Sequence, residues 1–274
     1  MNYLSRRKFV QATIAAGAGG ILLPKNMVEA GVRQTNDSLR GKKILYVWGG
    51  WPGHEPEQSV DVFVPWMRSE GAEVVVSDTL DSYLDKDLMD SRDLIIQIVT
   101  MSQITREQEG ALFEAVKEKG TGIAGWHGGL NDAFRNNTEY QFMIGSQWVA
   151  HPGGVIDFKV NIVDHDDPVT VGINDFNLHS EQYYMHVDPN VKVLSTTKFI
   201  AGHAPWADGC VMPVAYKKYY GEGRIFYSSS GHVMADFKVP EALEIMKRGI
   251  RWASESKYHE KERWIKPVYG EKIL

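Results

Sequence analysis

Apolar residues between positions 42 and about 130 switch repeatedly between two periods, and that alternation predicts an α/β fold. Lys43-Ile44-Leu45-Tyr46-Val47-Trp48 is a continuous apolar run closed by Gly49-Gly50, as expected of a strand buried on both faces. Ser59 to Glu70 carries Val60, Val64 and Met67 at helical spacing. Pro65 stands in its middle, where a proline removes a helical hydrogen bond, so an interruption is expected there. Ala72 to Val76 and Asp93 to Val99 read as the second and third strands. Thr105, with Glu107-Gln108-Glu109 behind it, has the form of a capping box and starts a helix running to Lys119, stopped by Gly120. Thr121 to Gly125 is a fourth, short strand. Short connections between alternating strands and helices imply a mostly parallel sheet with helices on both faces.

The C-terminal half holds the extra strands: Val155 to Val163, Val191 to Thr196, Met212 to Tyr219 and Arg224 to Ser229. The last two flank Tyr220-Gly221-Glu222-Gly223, a hairpin-type turn. Val239 to Glu255 is an amphipathic helix with Leu243, Met246, Ile250 and Ala253 on one face. No repeat or composition break divides the chain, so one domain is expected over 42–258, between a polar linker (31–41) and a polar tail (259–274).

The first 30 residues read as an address. Ser5-Arg6-Arg7-Lys8-Phe9-Val10 fits the twin-arginine pattern, a weakly apolar Ala/Gly stretch follows to Leu23, and Val28-Glu29-Ala30 offers small residues for cleavage. Export by the twin-arginine machinery to the periplasm or beyond is therefore expected, with no stable membrane anchor because the stretch is too short to span a bilayer. The segment contains Arg6, Arg7, Lys8, Lys25 and Glu29, so its removal takes a net +3 from the chain's −5 and leaves about −8.

That acidity argues against nucleic-acid binding. One cysteine, Cys210, excludes an intrachain disulfide and any Cys-cluster metal site. No Gly-x-Gly-x-x-Gly and no phosphate loop follows the first strand, so no nucleotide cofactor is expected.

In an open parallel sheet, ligands bind beyond the carboxyl ends of the strands. Two of those ends read Gly49-Gly50-Trp51-Pro52-Gly53-His54 and Gly125-Trp126-His127-Gly128-Gly129, each delivering a Trp, a His and several glycines to one rim. The second has the spacing of a nucleophile elbow with His127 in the nucleophile's slot, which suits proton transfer or metal binding rather than acyl transfer. Flat aromatic faces suit sugar rings, so Trp51, Trp126 and Trp206 are the candidate platform, with His203 and His232 as further substrate contacts. No pair of the nine histidines shows helical metal spacing, and His54, His127 and His151 are metal candidates only as a site assembled from distant loops.

These motifs carry a resemblance. Val47-Trp48-Gly49-Gly50 with His54, Gly125-Trp126-His127-Gly128-Gly129, His165-Asp166-Asp167-Pro168-Val169, Ser180-Glu181-Gln182-Tyr183-Tyr184, and the run from Pro213 to Gly231-His232 together resemble the trehalose-utilisation (ThuA-like) family of the class I glutamine amidotransferase-like superfamily, over roughly 42–255. The resemblance implies a flavodoxin-like fold, a role in disaccharide or 3-keto sugar utilisation, and loss of the amidotransferase cysteine. The family often has an acidic residue before the Glu of its Glu-x-Tyr motif; Ser180 stands there, which leaves Glu181 as the catalytic carboxylate beside His127 and His54.

The expected function is that of an exported enzyme acting on a glycoside or 3-keto sugar through a His-centred site, with a divalent metal (Zn or Mn) as the open cofactor. The alternative is a carbohydrate-binding protein using the same rim without turnover, and a residual amidase on Cys210 is a remote third. A homo-oligomer stays open, since exposed aromatics suit a subunit interface as well as a sugar.

Overall fold

The computed structural model describes residues 38–262. The export signal (1–30) and most of the linker and tail lie outside the described residues. The elements in chain order are β1 (Lys43–Gly50), α1 (Pro56–Ser69), β2 (Glu73–Ser77), α2 (Lys86–Asp90), β3 (Leu94–Thr100), α3 (Arg106–Phe113), β4 (Gly122–Trp126), α4 (His127–Asn131) and α5 (Thr138–Ile144). Then come β5 (Ser146–Ala150), β6 (Val155–Ile162), β7 (Phe176–Glu181), β8 (Tyr184–Val187), β9 (Lys192–Lys198), β10 (Val211–Tyr220), β11 (Gly223–Ser228) and α6 (Pro240–Ser254). Among the described residues, nine strands form one sheet in the order β2-β1-β3-β4-β11-β10-β9-β6-β7. The pairings from β2 to β11 are parallel, and β10, β9, β6 and β7 extend the sheet antiparallel. β5 and β8 pair separately.

The continuous apolar run of β1 has a direct physical reading. Side chains alternate across a strand, so Ile44 and Tyr46 join the core that contains Phe63 of α1 and Ile250 of α6. Leu45 and Val47 join the opposite core with Leu112 of α3 and Ile144 of α5. Both faces are covered, so a polar group there needs a buried partner, as the Tyr46 hydroxyl finds in Ser59 at 2.7 Å.

Pro65 does not interrupt α1, which runs continuously through it. The proline is exposed while Phe63, Val64 and Met67 are buried. Water can reach the carbonyl it leaves unpaired, and the packed face holds the helix together. The Thr105 capping box is present as expected, its hydroxyl accepting from the Gln108 N–H and the Gln108 side chain accepting from the Thr105 N–H. No helix of the described residues is long and apolar enough to cross a membrane.

Candidate functional site

The sheet gathers chemistry at its carboxyl edge. β1 leads into a short turn, Pro52–His54, that ends on His54; β4 leads directly into His127; β11 leads into the loop holding His232; β7 ends on Glu181. His127 begins α4 with φ of 48°, so the strand–turn–helix elbow expected from its glycines is formed, with a non-glycine residue in the left-handed region. Glu55 and Met101, beside the same rim, share that conformation, and among the described residues no other non-glycine residue does. Strained backbone of this kind concentrates at working sites. Gly128 is required by its neighbour, because a Cβ at this position would lie 2.6 Å from the His54 ring. Gly128 makes room for the His54 ring, while Gly125 and Gly129 let the elbow pack against Gln97 and Ile98 of β3.

His54, His127, His232 and Glu181 place ligand-type atoms within 4.8 Å of one another. The Glu181 carboxylate is the hub. Its Oε2 lies 3.0 Å from His127 Nε2, 3.4 Å from His232 Nδ1 and 4.0 Å from His54 Nε2. Its Oε1 faces His151 Nδ1 at 3.6 Å. The second nitrogens of two of the imidazoles are held from behind. His127 Nδ1 lies 2.7 Å from the Ser229 carbonyl oxygen, which can only accept, so Nδ1 carries the proton. His54 Nδ1 bonds Thr100 Oγ1 at 2.9 Å. His127 Nε2 then faces a carboxylate oxygen 3.0 Å away, a contact that needs a proton or a cation between the two atoms. His232 Nδ1 is buried with no hydrogen-bond partner among the described residues. Such an orphan, aimed at a carboxylate among imidazole nitrogens, fits a divalent-metal donor set.

The protonation states agree with that fit. Burial, followed by His127 and His232, lowers His54 from 6.5 to about 3. Burial and then His127 also lower His232. Burial raises the Glu181 carboxyl, but the His127 hydrogen bond and the surrounding imidazoles outweigh it and hold the group at about 2. Imidazoles of lowered proton affinity at His54 and His232 beside an ionised Glu181 are the forms a metal requires.

Stability carries the same signature. His54 protonates near 6.5 in the unfolded chain, so between that value and about 3 the unfolded state binds more protons and stability falls as pH drops. In the metal-free protein this one group removes about 2 kcal/mol between pH 7 and pH 5. His54→Gln should flatten the dependence, read as the shift of the denaturant midpoint between the two pH values; equal shifts in both proteins would contradict it.

A carboxylate that spacing gave no sign of braces the cluster. Asp236 is buried, and its Oδ2 accepts from the Gly231 and His232 N–H groups, both at 3.0 Å, and from the Ser180 hydroxyl at 2.6 Å. It thus fixes the loop of His232 and the residue before Glu181. Glu55 ties the rim further by accepting from the Met234 N–H at 2.7 Å.

Beside the cluster lies a pocket of about 200 Å³ walled by Trp51, Trp148, Tyr183 and His151, with Asp132 and Arg135 at its far side. Tyr183 lies against the His127 ring at 3.9 Å between centroids. Trp51, 42% exposed, meets the His54 ring edge-on. Five expectations need correction. Trp126 is no sugar platform: at 1% exposure it is the inward-facing end of β4, packed against Phe63 and Phe237. Trp206, 87% exposed in the β9–β10 connection, lines neither this pocket nor the cluster. His203 is exposed against Gly153, outside the pocket wall, while Trp148 and Tyr183 take the aromatic places. His232, expected to touch substrate, stands in the donor set, and His151, a metal candidate, stands outside it on the pocket wall. Cys210 packs with Phe199, Ala204 and Ala207 and has no place in the elbow.

The family model for trehalose utilisation, ThuA, matches residues 43–253. The chain belongs to the ThuA family. Among solved structures, a ThuA-like protein from Bacteroides uniformis superposes with a TM-score of 0.65 at 18% identity, covering 77% of this chain and 91% of that one. A cytoplasmic protein of Salmonella typhimurium gives 0.54 at 14% identity, covering 80% of this chain and 100% of its own. The glutaminase domain of a Trypanosoma brucei CTP synthase gives 0.48 at 9% identity, over 82% of this chain and 97% of that domain. No curated protein matches the chain. Family membership supports a role in carbohydrate utilisation and the flavodoxin-like reading of the fold.

Proposed function

We propose that this ThuA family member is an exported enzyme that acts on a glycoside or oxidised sugar with the help of a divalent metal. The observation that carries the reading is the contact between His127 Nε2 and Glu181 Oε2 at 3.0 Å, with Nδ1 already committed to a carbonyl and the orphaned His232 Nδ1 alongside. His54, His127, His232 and Glu181 would hold the ion. When bound, it would polarise a carbonyl or hydroxyl oxygen of the substrate. Trp51, Trp148 and Tyr183 offer the apolar faces that orient a sugar ring, and Tyr183 also shields the His127 ring from water. His151 lies on the pocket wall, outside the donor set, as the imidazole able to take or give a proton there. A plain sugar-binding protein would need the aromatic wall but not four converging donor groups. Export by the twin-arginine route to the periplasm is part of the proposal and rests on Arg6-Arg7 and the residues after them.

Turnover of 3-keto-glycosides by the wild type and by His127→Ala, with and without added Mn²⁺ or Zn²⁺, tests the reading. Loss of turnover in the variant, not restored by metal, is expected; unchanged turnover would overturn it.

A further inference from the structure

The pocket beside the donor set, at about 200 Å³, falls below the usual range of small-molecule sites and suits one ring-sized group. A second cavity of about 750 Å³ adjoins it, and the two share Met101 and Arg135 in their walls. We propose that this larger chamber is a second subsite, which holds an uncharged, polyhydroxylated extension of the substrate while the reacting ring occupies the small pocket. The proposal rests on the carbohydrate reading above and adds to it where the remainder of the ligand lies and what charge it carries.

The chemistry of the wall makes the selection. Ser102, Gln103, Asn136 and Asn137 line it with hydroxyl and amide groups, and Glu109 and Glu139 add carboxylates. The side chains of Gln103 and Asn136 make no hydrogen bond among the described residues, so both amides are available to a ligand. Asn137 is already engaged, donating to Glu109 at 2.7 Å and accepting from the Tyr140 N–H at 2.9 Å. The one cation in the wall, Arg135, is spoken for: it donates twice to Asp132, at 2.6 and 2.8 Å, and lies over the Trp148 ring at 4.6 Å. A phosphate or carboxylate entering here would meet two carboxylates and a guanidinium already neutralised. A sugar hydroxyl, which donates and accepts, finds complementary partners among the amides, hydroxyls and carboxylates, while Ile104 and Phe134 offer apolar lining for the ring. Arg135, held by Asp132 and Trp148, lies in the lining of both cavities.

The test is an equilibrium titration of the full chain with glucose, trehalose and trehalose 6-phosphate. The wild type should bind trehalose about tenfold or more tightly over glucose, and the phosphate ester more weakly than trehalose. Gln103→Ala combined with Asn136→Ala, both at exposed positions, should cut trehalose affinity about tenfold and leave glucose affinity in place. Asn136→Trp, which fills the chamber, should abolish the preference for the longer sugar. Equal binding of glucose and trehalose by the wild type would overturn the second subsite, as would chamber variants that weaken both sugars alike or neither. Tighter binding of the phosphate ester would overturn its charge selection. Failure of the wild type to bind any of the three would overturn the carbohydrate reading itself, and the subsite with it.

Discussion

Glu181→Gln should abolish the metal binding proposed for the site while leaving the fold in place. The substitution keeps the side chain's shape and removes the negative charge on which the nitrogens of His54, His127 and His232 converge. Loss of an outer partner of a metal ligand costs 10–100-fold in affinity, so loss of the charged ligand should cost at least about 100-fold. Turnover should fall by roughly 10³, the equivalent of about 4 kcal/mol of transition-state stabilisation. The metal-free variant should still fold, with a somewhat lower melting temperature, because glutamine keeps the shape but not the charge that the imidazole neighbours hold ionised. Metal content by mass spectrometry, taken with the melt, separates this result from simple unfolding. A variant that keeps its metal, or one that loses activity only because it has unfolded, would contradict the assignment.

Trp126→Ala has the largest expected effect on stability. The indole is buried at the end of β4 between α1 and the Phe237 turn, and removing it should cost about 3–5 kcal/mol through lost contacts and the cavity left behind. For a domain of this size that is a fall of roughly 10 °C in melting temperature. Trp126→Phe should be far milder, since the indole N–H is buried with no partner among the described residues and its loss removes a desolvation penalty. Trp51→Ala should show the opposite profile, with stability changed by less than about 0.5 kcal/mol and sugar affinity reduced. Thermal melts and sugar titrations of the three variants check the contrast. Equal loss of stability at Trp51 and Trp126 would contradict the placement of Trp51 on the pocket wall.

The two tryptophans also show where reading the sequence works and where it stops. β1, β3 and β4 are legible because strands buried on both faces must be continuously apolar. Glycines around 125–129 point to an exposed loop and draw Trp126 with them, but strand alternation turns that ring into the core. β5 and β8 escape because Ser146–Ala150 and Tyr184–Val187 are short and mix polar with apolar residues, and with β5 goes Trp148 of the pocket. The elbow at His127 is legible because its spacing is local. The union of Glu181 with His232 is not, since the two reach each other only when β7 and the β11 loop are folded to one edge. Asp236 leaves no trace at all, because a brace that accepts backbone N–H groups imposes no local pattern. Ser180, in place of the family's acidic residue, has a physical role in donating to that brace.

The central claim is that the converged imidazoles and Glu181 hold a metal. Its most direct test is the metal content of the wild type, isolated without chelator from the compartment to which export is proposed, followed by titration of the stripped protein with Zn²⁺ and Mn²⁺. About one divalent ion per chain, removed by chelator and regained on titration but not regained by His127→Ala, is the result predicted. A wild type that carries no ion and binds neither metal at micromolar concentration would contradict it.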